Sequence, residues 1–174
     1  NVSSFTAASG WNGWNGTVAG GGRVGSSPWL NLADYSSNYI YTNITNDRIG
    51  NFTFSTVPTA TTWSVAKLRL RTWQSTGGND QLKIYLYNGV SYTSYTVTPS
   101  TTEGSYSEID FSTFLDTVTK INAAKMAIEK ITVDSADTIY VDHAQLRLSG
   151  FRVELRVTQL YVSVLTDGLY TDYD

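Results

Sequence analysis

The feature that most constrains the fold is a strict alternation of apolar and basic side chains along one central segment. Between Trp63 and Trp73, apolar residues at even positions alternate with basic residues at odd positions, namely Ala66, Leu68 and Leu70 with Lys67, Arg69 and Arg71. Successive side chains of a β-strand point to opposite faces. This period of two therefore predicts an antiparallel strand with one face in the core and one face in solvent.

Similar segments recur at regular spacing along most of the chain. Strands are predicted at 38–44, 49–57, 63–73, 81–87, 90–97, 105–111, from 124 onward, and 138–148. Asn88-Gly89 is a strong signal for a type I′ hairpin, because both central positions of that turn need positive φ. Ser112 is predicted to cap a short helix at 113–120. Together these elements predict an all-β fold, a jelly-roll β-sandwich with one short helix.

A long β-prone run, Phe151 to Leu165, follows Ser149-Gly150, and its pattern changes phase part-way. Its aliphatic residues stand at odd positions first and at even positions afterwards: Val153, Leu155, Val157, Leu160, Val162 and Val164. A shift of one residue reverses which face is buried. The run is therefore either covered by its own domain or added as a strand to a neighbouring copy. The predicted division is a Gly/Trp-rich segment at 1–29, a jelly-roll domain at 30–149 and a C-terminal strand tail at 150–174.

Composition excludes several kinds of chemistry. The 174 residues include no cysteine and one histidine, His143, which excludes disulfides, thiol nucleophiles and multi-histidine metal sites. A net charge of −3 argues against nucleic-acid binding. No apolar run approaches the roughly 18 residues of a membrane span. No nucleophile-elbow motif accompanies His143, which is expected in solvent or in a cross-strand contact. We therefore predict no catalytic residues and no enzyme.

Three weaker signals in the sequence also have ordinary structural explanations. Carboxylates of two regions could supply a pair for glycoside hydrolysis, but their spacing singles out neither an acid nor a base: Glu103, Glu108 and Asp110 in one, and Asp134, Asp137 and Asp142 in the other. Structural calcium is an option at Asn79-Asp80 and at 134–137, although ordinary turn chemistry explains both; no other cofactor is expected. Exposed aromatics suit sugar binding, and the candidates are Trp11, Trp14, Trp29, Tyr92 and Tyr95.

Four Asn-X-Ser/Thr sequons make the chain a candidate glycoprotein. They begin at Asn1, Asn15, Asn43 and Asn51. Charged residues make up only 16% of the chain. A surface with few charges and no cysteine fits an extracellular or cell-surface protein, which is the predicted location.

Several short motifs carry a resemblance to known domains. They are Tyr39-Ile40-Tyr41-Thr42, Phe52-Thr53-Phe54, the strand from Trp63 to Trp73, and the run from Val157 to Leu165. In this order they resemble a loosely defined group of jelly-roll structural domains from bacterial, archaeal and phage surface and filament proteins with a C-terminal strand extension. The resemblance covers about residues 30–165. It implies jelly-roll folding and a structural role, and it supplies no catalytic residues.

The resulting expectation is a structural subunit of an extracellular helical filament or pilus-like fibre. Its partners are copies of itself, joined head to tail when the tail of one copy inserts into the next. It is expected to be a homo-oligomer and to need neither nucleic acid nor a membrane span. The alternatives are a carbohydrate-binding module, or a structural or decoration protein of a phage virion.

Overall fold

The computed structural model describes residues 2–5, 15–16, 39–59, 61–75, 79–133 and 137–150. Within them lie ten strands and one short helix. Their bounds are β1 Val2–Phe5, β2 Asn15–Gly16, β3 Ile40–Thr42, β4 Arg48–Phe54, β5 Val65–Gln74, β6 Gln81–Tyr87, β7 Tyr92–Val97, β8 Tyr106–Asp110, α1 Val118–Asn122, β9 Lys125–Ile131 and β10 Ile139–Ser149. No helix in this part of the chain has the length and apolar character needed to cross a membrane.

The strands form two five-stranded sheets. Sheet A has the order β1-β4-β9-β6-β7, and sheet B has the order β2-β3-β10-β5-β8. Every pairing between these strands is antiparallel. The prediction of an all-β sandwich with a short helix is confirmed.

The pairing order identifies the sandwich as a jelly roll. The pairs β6 with β7, β5 with β8, β4 with β9, and β3 with β10 are nested inside one another along the chain. Successive pairs fall alternately in sheet A and sheet B. A long antiparallel hairpin that is rolled up in this way has the jelly-roll topology. The predicted strand extension beyond Gly150 lies outside the described residues, and the predicted domain limits stay predictions.

The core lies between the two sheets and follows the alternation read from the sequence. In β5, Ala66, Leu68 and Leu70 are fully buried while the basic residues between them are half-buried. In β6, Leu82, Ile84 and Leu86 are likewise fully buried. Burying each large aliphatic side chain contributes about 1.5–3 kcal/mol. These two buried rows, one from each sheet, therefore supply a large part of the core.

The predicted helix cap is wrong. The helix begins at Val118, and its N-cap is Thr117, whose side chain accepts a hydrogen bond from the Lys120 amide. Ser112 instead donates its hydroxyl to Asp110 at 2.5 Å and accepts the Ala66 N–H at 3.0 Å. Ser112 therefore ties the end of β8 to the start of β5, and its hydroxyl is committed before the helix begins.

The predicted faces of the last strand are also wrong in part, because β10 contains a bulge. The register shifts between Val141 and His143, with Asp142 as the extra residue. Ile139 and Val141 are buried before the bulge and Ala144 after it, so the inward positions change from odd to even. Tyr140, predicted on the same face as Ala144, instead belongs to the outer face of sheet B. His143 is fully buried, so of its two predicted environments the solvated one is wrong and the cross-strand one remains.

Candidate functional site

An aromatic row crosses the outer face of sheet B at the end where β5 finishes. Tyr41, Tyr140 and Trp73 come from the adjacent strands β3, β10 and β5 and are direct cross-strand partners. The rings of Trp73 and Tyr140 are stacked, with centroids 5.2 Å apart and planes 9° apart. Tyr41 lies 6.0 Å from Tyr140 on the other side. Three neighbouring strands thus present one continuous aromatic row.

Tyr39, just before β3, holds this row in place. Its ring meets Tyr140, Trp73 and Tyr41 edge-on, at centroid distances of 5.3, 5.6 and 5.9 Å. Such edge-to-face pairs each contribute about 0.5–1.5 kcal/mol beyond simple burial. Trp73 is only 8% exposed as a result, whereas the three tyrosines are half-buried. The four rings, called the aromatic cluster below, form a fixed surface.

An open depression of about 370 Å³ lies beside the aromatic cluster. Its walls include Tyr39, Trp73 and Tyr140, and its polar lining consists of Gln74, Ser75, Thr101 and Glu103. Gln74 donates its side-chain amide to the Pro99 carbonyl at 2.7 Å, and its backbone N–H to the Ser100 carbonyl at 2.9 Å. These bonds fasten the loop that carries Thr101 and Glu103 to the end of β5. The depression therefore combines aromatic walls with hydroxyl and carboxylate groups.

The next row of the same face is built on the β10 bulge. Arg71 donates to the Asp142 carboxylate at 2.6 Å and to the Gly104 carbonyl at 3.3 Å. Gly104 has φ of +75°, and a Cβ on it would lie 2.5 Å from the Arg71 guanidinium. The left-handed backbone conformation therefore favours glycine at 104, and a larger residue would also displace the Arg71 guanidinium. Arg71 and Gly104 together hold the loop that contains Glu103 against the sheet.

The basic side chains predicted on one face of β5 do find carboxylate partners. Glu108 on β8 lies 3.7 Å from both Lys67 and Arg69, and it accepts from Arg147 at 3.1 Å. The Arg69 guanidinium also lies 3.7 Å from the Tyr106 ring centroid. Lys67, Arg69 and Arg71 therefore pair with carboxylates of neighbouring strands, and the fully solvated face that the alternation predicted is not what the structure has.

Two of the carboxylates considered for hydrolysis, Glu108 and Asp110, are poorly suited to that role. Glu108 is surrounded by three cations. The hydrogen bond from the Ser112 hydroxyl, helped by the Ser112 backbone N–H, lowers the pKa of Asp110 below its ordinary value. A general acid in glycoside hydrolysis needs a raised pKa. Neither residue has the environment of such an acid.

Asp80, in the first predicted calcium loop, forms a buried ion pair and also contacts Asp137 of the second, whose residues 134–136 lie outside the part of the chain that the structure describes. Asp80 and Lys130 are both fully buried, with the ammonium 2.7 Å from the carboxylate. Asp80 also accepts the Val133 and Asp137 backbone N–H groups at 2.9 and 3.1 Å. The Asp80 carboxylate thus has an ammonium and two amides as neighbours. Among the described residues, no group of three or more histidine, aspartate or glutamate side chains could hold a metal ion.

The outer face of sheet A carries a second polar network. Glu129 is 3% exposed and accepts from the Tyr85 hydroxyl at 2.5 Å and from Arg48 at 2.9 Å. Burial first, and then the hydrogen bond to Glu129, raise the pKa of the Tyr85 hydroxyl above its ordinary value. Lys83 lies 5.0 Å from the Tyr85 ring centroid. This network fixes the Tyr85 ring over the centre of sheet A.

The sequence-predicted site residues are widely separated. Tyr92 and Tyr95 are 70% and 52% exposed on β7 of sheet A, away from the aromatic cluster. Asn15 belongs to β2, Asn43 is exposed and Asn51 is half-buried in β4, and their glycosylation stays a prediction. Trp11, Trp14, Trp29, Asn1 and the tail residues Val153, Leu155, Val157, Leu160, Val162 and Val164 lie outside the described residues.

The aromatic cluster itself was missed by the sequence predictions. Tyr39 and Tyr41 stand two residues apart, which is a signal for one shared strand face. Trp73 and Tyr140 join them because of the strand register and the bulge before His143. Neither the register nor the bulge can be seen in the sequence.

Comparisons with known proteins are sparse. No protein family matches the sequence, and no curated protein matches it either. Among solved structures, one match is the carbohydrate-binding module TmCBM61 in complex with β-1,4-galactotriose. The similarity extends over 81% of this chain and 92% of that chain, at 8% sequence identity and a TM-score of 0.42.

Proposed function

We propose that this protein is a non-enzymatic carbohydrate-binding domain that takes its ligand on the outer face of sheet B. The observation that carries the proposal is the open depression in which Tyr39, Trp73 and Tyr140 meet Thr101 and Glu103. The depression lies on the surface of a rigid sandwich, and its rings are fixed by one another.

Sugars have two kinds of surface, and this depression offers a partner for each. The C–H faces of a pyranose pack on aromatic rings, and the ring hydroxyls hydrogen-bond to carboxylates, amides and hydroxyls. Binding sites for small ligands share this pattern of apolar walls with a few placed polar groups. Because the rings are already packed, little side-chain freedom is lost when a ligand binds.

The absence of catalysis remains part of the proposal. Its support is the state of the acidic groups that a sugar-cleaving enzyme would need. Glu108 is ion-paired, and the pKa of Asp110 is lowered by Ser112. Asp142 is paired with Arg71. These carboxylates stabilise charge in the fold instead of donating protons to a substrate.

A binding screen tests the proposal. The full chain is applied to a glycan array and to insoluble polysaccharides, and the best ligand is titrated by calorimetry. Tyr39→Ala should weaken binding about fivefold to tenfold, because one aromatic contact contributes about 1 kcal/mol. Glu103→Gln, at an exposed position, should weaken it without affecting the fold. Tyr92→Ala on sheet A is the matched control and should bind as the wild type does.

Two outcomes would contradict the proposal. One is the absence of binding to any glycan at millimolar concentration by a protein whose circular dichroism shows a folded sheet. The other is loss of binding in Tyr92→Ala with full binding in Tyr39→Ala and Glu103→Gln, which would move the site to β7.

A second candidate is the structural subunit of an extracellular filament that is joined by strand donation. The observation that favours it is β7, an edge strand of sheet A without a single charged residue. In this proposal the tail residues 151–165 add a strand to a neighbouring copy. Electron microscopy of the full chain tests it, since filaments should form and should disappear when the chain ends at Ser149.

A further inference from the structure

The two long edges of the sandwich differ in charge. β7 ends sheet A and β8 ends sheet B. β8 carries Glu108 and Asp110, and Glu108 is tied to basic residues of neighbouring strands. β7 reads Tyr-Thr-Ser-Tyr-Thr-Val and contains neither a charge nor a proline.

Natural sheets protect their edges with charges, prolines or bulges, because an open edge pairs with other strands. β8 has this protection and β7 lacks it. Tyr, Thr and Val are also strong strand formers. Four of the six residues of β7 are exposed: Tyr92, Ser94, Tyr95 and Thr96.

The hydrogen bonds of the turn before β7 show which backbone groups of β7 face away from β6. The Asn88 N–H bonds to the Ser91 carbonyl at 3.2 Å, so these two residues form a hydrogen-bonded pair. Hydrogen-bonded and non-hydrogen-bonded pairs alternate along an antiparallel ladder. The N–H and C=O groups of Tyr92, Ser94 and Thr96 therefore point away from β6, at the outer edge of the sheet. Among the described residues, no strand pairs with this edge.

We infer that this edge of β7 accepts, as an added antiparallel strand, the aliphatic segment 153–164 of a second copy of the chain. The inference rests on the second function proposed above, that of a filament subunit that donates a strand. It names the surface that accepts the donated strand. Each half of the segment alternates aliphatic and polar residues over five positions, which matches the six residues of β7.

The direction of the strands favours a second copy over the same copy. Ser149 pairs with Val65, so β10 finishes at the end of the sandwich where β5 starts. β5 runs to the opposite end, and β6 runs back from there to the hairpin. Tyr92 therefore lies at the same end as Ser149, and β7 runs away from that end.

A segment that passed from Ser149 directly to β7 of its own copy would run parallel to β7. Every pairing between the named strands is antiparallel. An antiparallel partner must enter at the Val97 end. Within one chain it would first have to travel the length of β7, about 20 Å for six residues. A second copy approaching from that end needs no such detour.

The test uses full-length variants in which either the acceptor or the donor is blocked. Ser94→Pro removes an outward N–H without removing a bond to β6, and Ser94→Lys adds a charge to the same edge. Ser94→Thr keeps the N–H and is the matched control. The donor is blocked by the double variant Leu155→Asp/Val162→Asp. Assembly is measured by light scattering and electron microscopy, and folding by circular dichroism.

The wild type and Ser94→Thr should assemble, whereas Ser94→Pro, Ser94→Lys and the donor variant should stay monomeric. An equal mixture of Ser94→Pro and the donor variant should form dimers and nothing larger. In this dimer the intact segment of one copy meets the intact edge of the other.

Three results would overturn the inference. If the wild type assembles and both acceptor variants still assemble, the acceptor is another surface although the subunit function stands. If the mixture stays monomeric, the segment does not pair with β7 between copies. If the wild type itself stays monomeric at every concentration, the subunit function fails as well.

Discussion

At the scale of single residues, the most consequential contact is the buried pair of Asp80 and Lys130. Both side chains are fully buried. Lys130 sits at an inward position of β9 and also donates to Thr132 at 2.7 Å. Asp80 accepts two backbone N–H groups from residues 133 and 137. One carboxylate thus joins the start of β6 to both sides of the β9–β10 connection.

Removal of one partner should be costly because the other charge stays buried. Lys130→Met should lower the free energy of unfolding by about 3–5 kcal/mol, the usual cost of an uncompensated buried charge. Asp80→Asn combined with Lys130→Met should be less destabilised than Lys130→Met alone, since no charge remains. Urea denaturation of the two variants and the wild type measures both differences. A double variant less stable than Lys130→Met would show that the carboxylate matters chiefly as an acceptor for the amides.

At the scale of elements, the sequence predicts which residues of a strand are buried, because that depends on periodicity. It does not predict which residues lie side by side on neighbouring strands, because that depends on register. The alternation in β5 and β6 appears in the fold as predicted, because a half-buried strand requires it. The bulge before His143 has no such signature. Apolar residues stand at the inward positions on both sides of it, so the sequence does not show where the inward positions change from odd to even. The aromatic cluster was missed for that reason, because Tyr140 reaches the outer face only if β10 changes phase.

Two hydroxyl residues near the start of α1 could each serve as its N-cap. Ser112 and Thr117 both precede helix-compatible sequence, and Ser112 was the predicted cap. Asp110 decides the outcome, because it accepts both the Ser112 hydroxyl and the Ser112 backbone N–H. A local turn of this kind competes with helix capping. The Thr117 hydroxyl oxygen accepts the Lys120 amide N–H and so caps the helix.

Alanine at position 112 and alanine at position 117 should change the free energy of unfolding with different dependences on pH. Thr117→Ala should lower stability by about 1 kcal/mol at every pH, because it removes a neutral cap. Ser112→Ala should destabilise the protein at pH 7, but this deficit should shrink in acid. The folded-state pKa of Asp110 lies below its ordinary value of 3.8, so its stabilisation is present above that value and lost as pH falls.

Urea denaturation of both alanine variants and the wild type between pH 2 and pH 7 measures these profiles. A Ser112→Ala deficit that stays constant with pH would contradict the assignment of Ser112 to Asp110. A Thr117→Ala deficit that disappears in acid would contradict a neutral cap.

At the scale of the whole molecule, the nested strand order separates local from distant pairings. β6 and β7 form the innermost hairpin, closed by the turn 88–91. Asn88 accepts the Val90 and Ser91 N–H groups, and Gly89 has φ of +91°. β3 and β10 form the outermost pair and come from distant parts of the chain. Because distant pairings must first close long loops, folds of this kind form slowly, in milliseconds to seconds.

This order predicts which pairs form first during folding. Ile84 on β6 and Ile139 on β10 are both fully buried, so they form a matched pair of sites. Ile→Val at either site should cost about 1 kcal/mol of stability. Ile84→Val should slow folding, because the hairpin that contains it is expected to be structured in the transition state. Ile139→Val should chiefly speed unfolding, because its partners Thr42 and Gln74 dock later. Stopped-flow kinetics in urea measure both rates, and an equal effect on folding at the two sites would mean that the outermost pair closes together with the innermost hairpin.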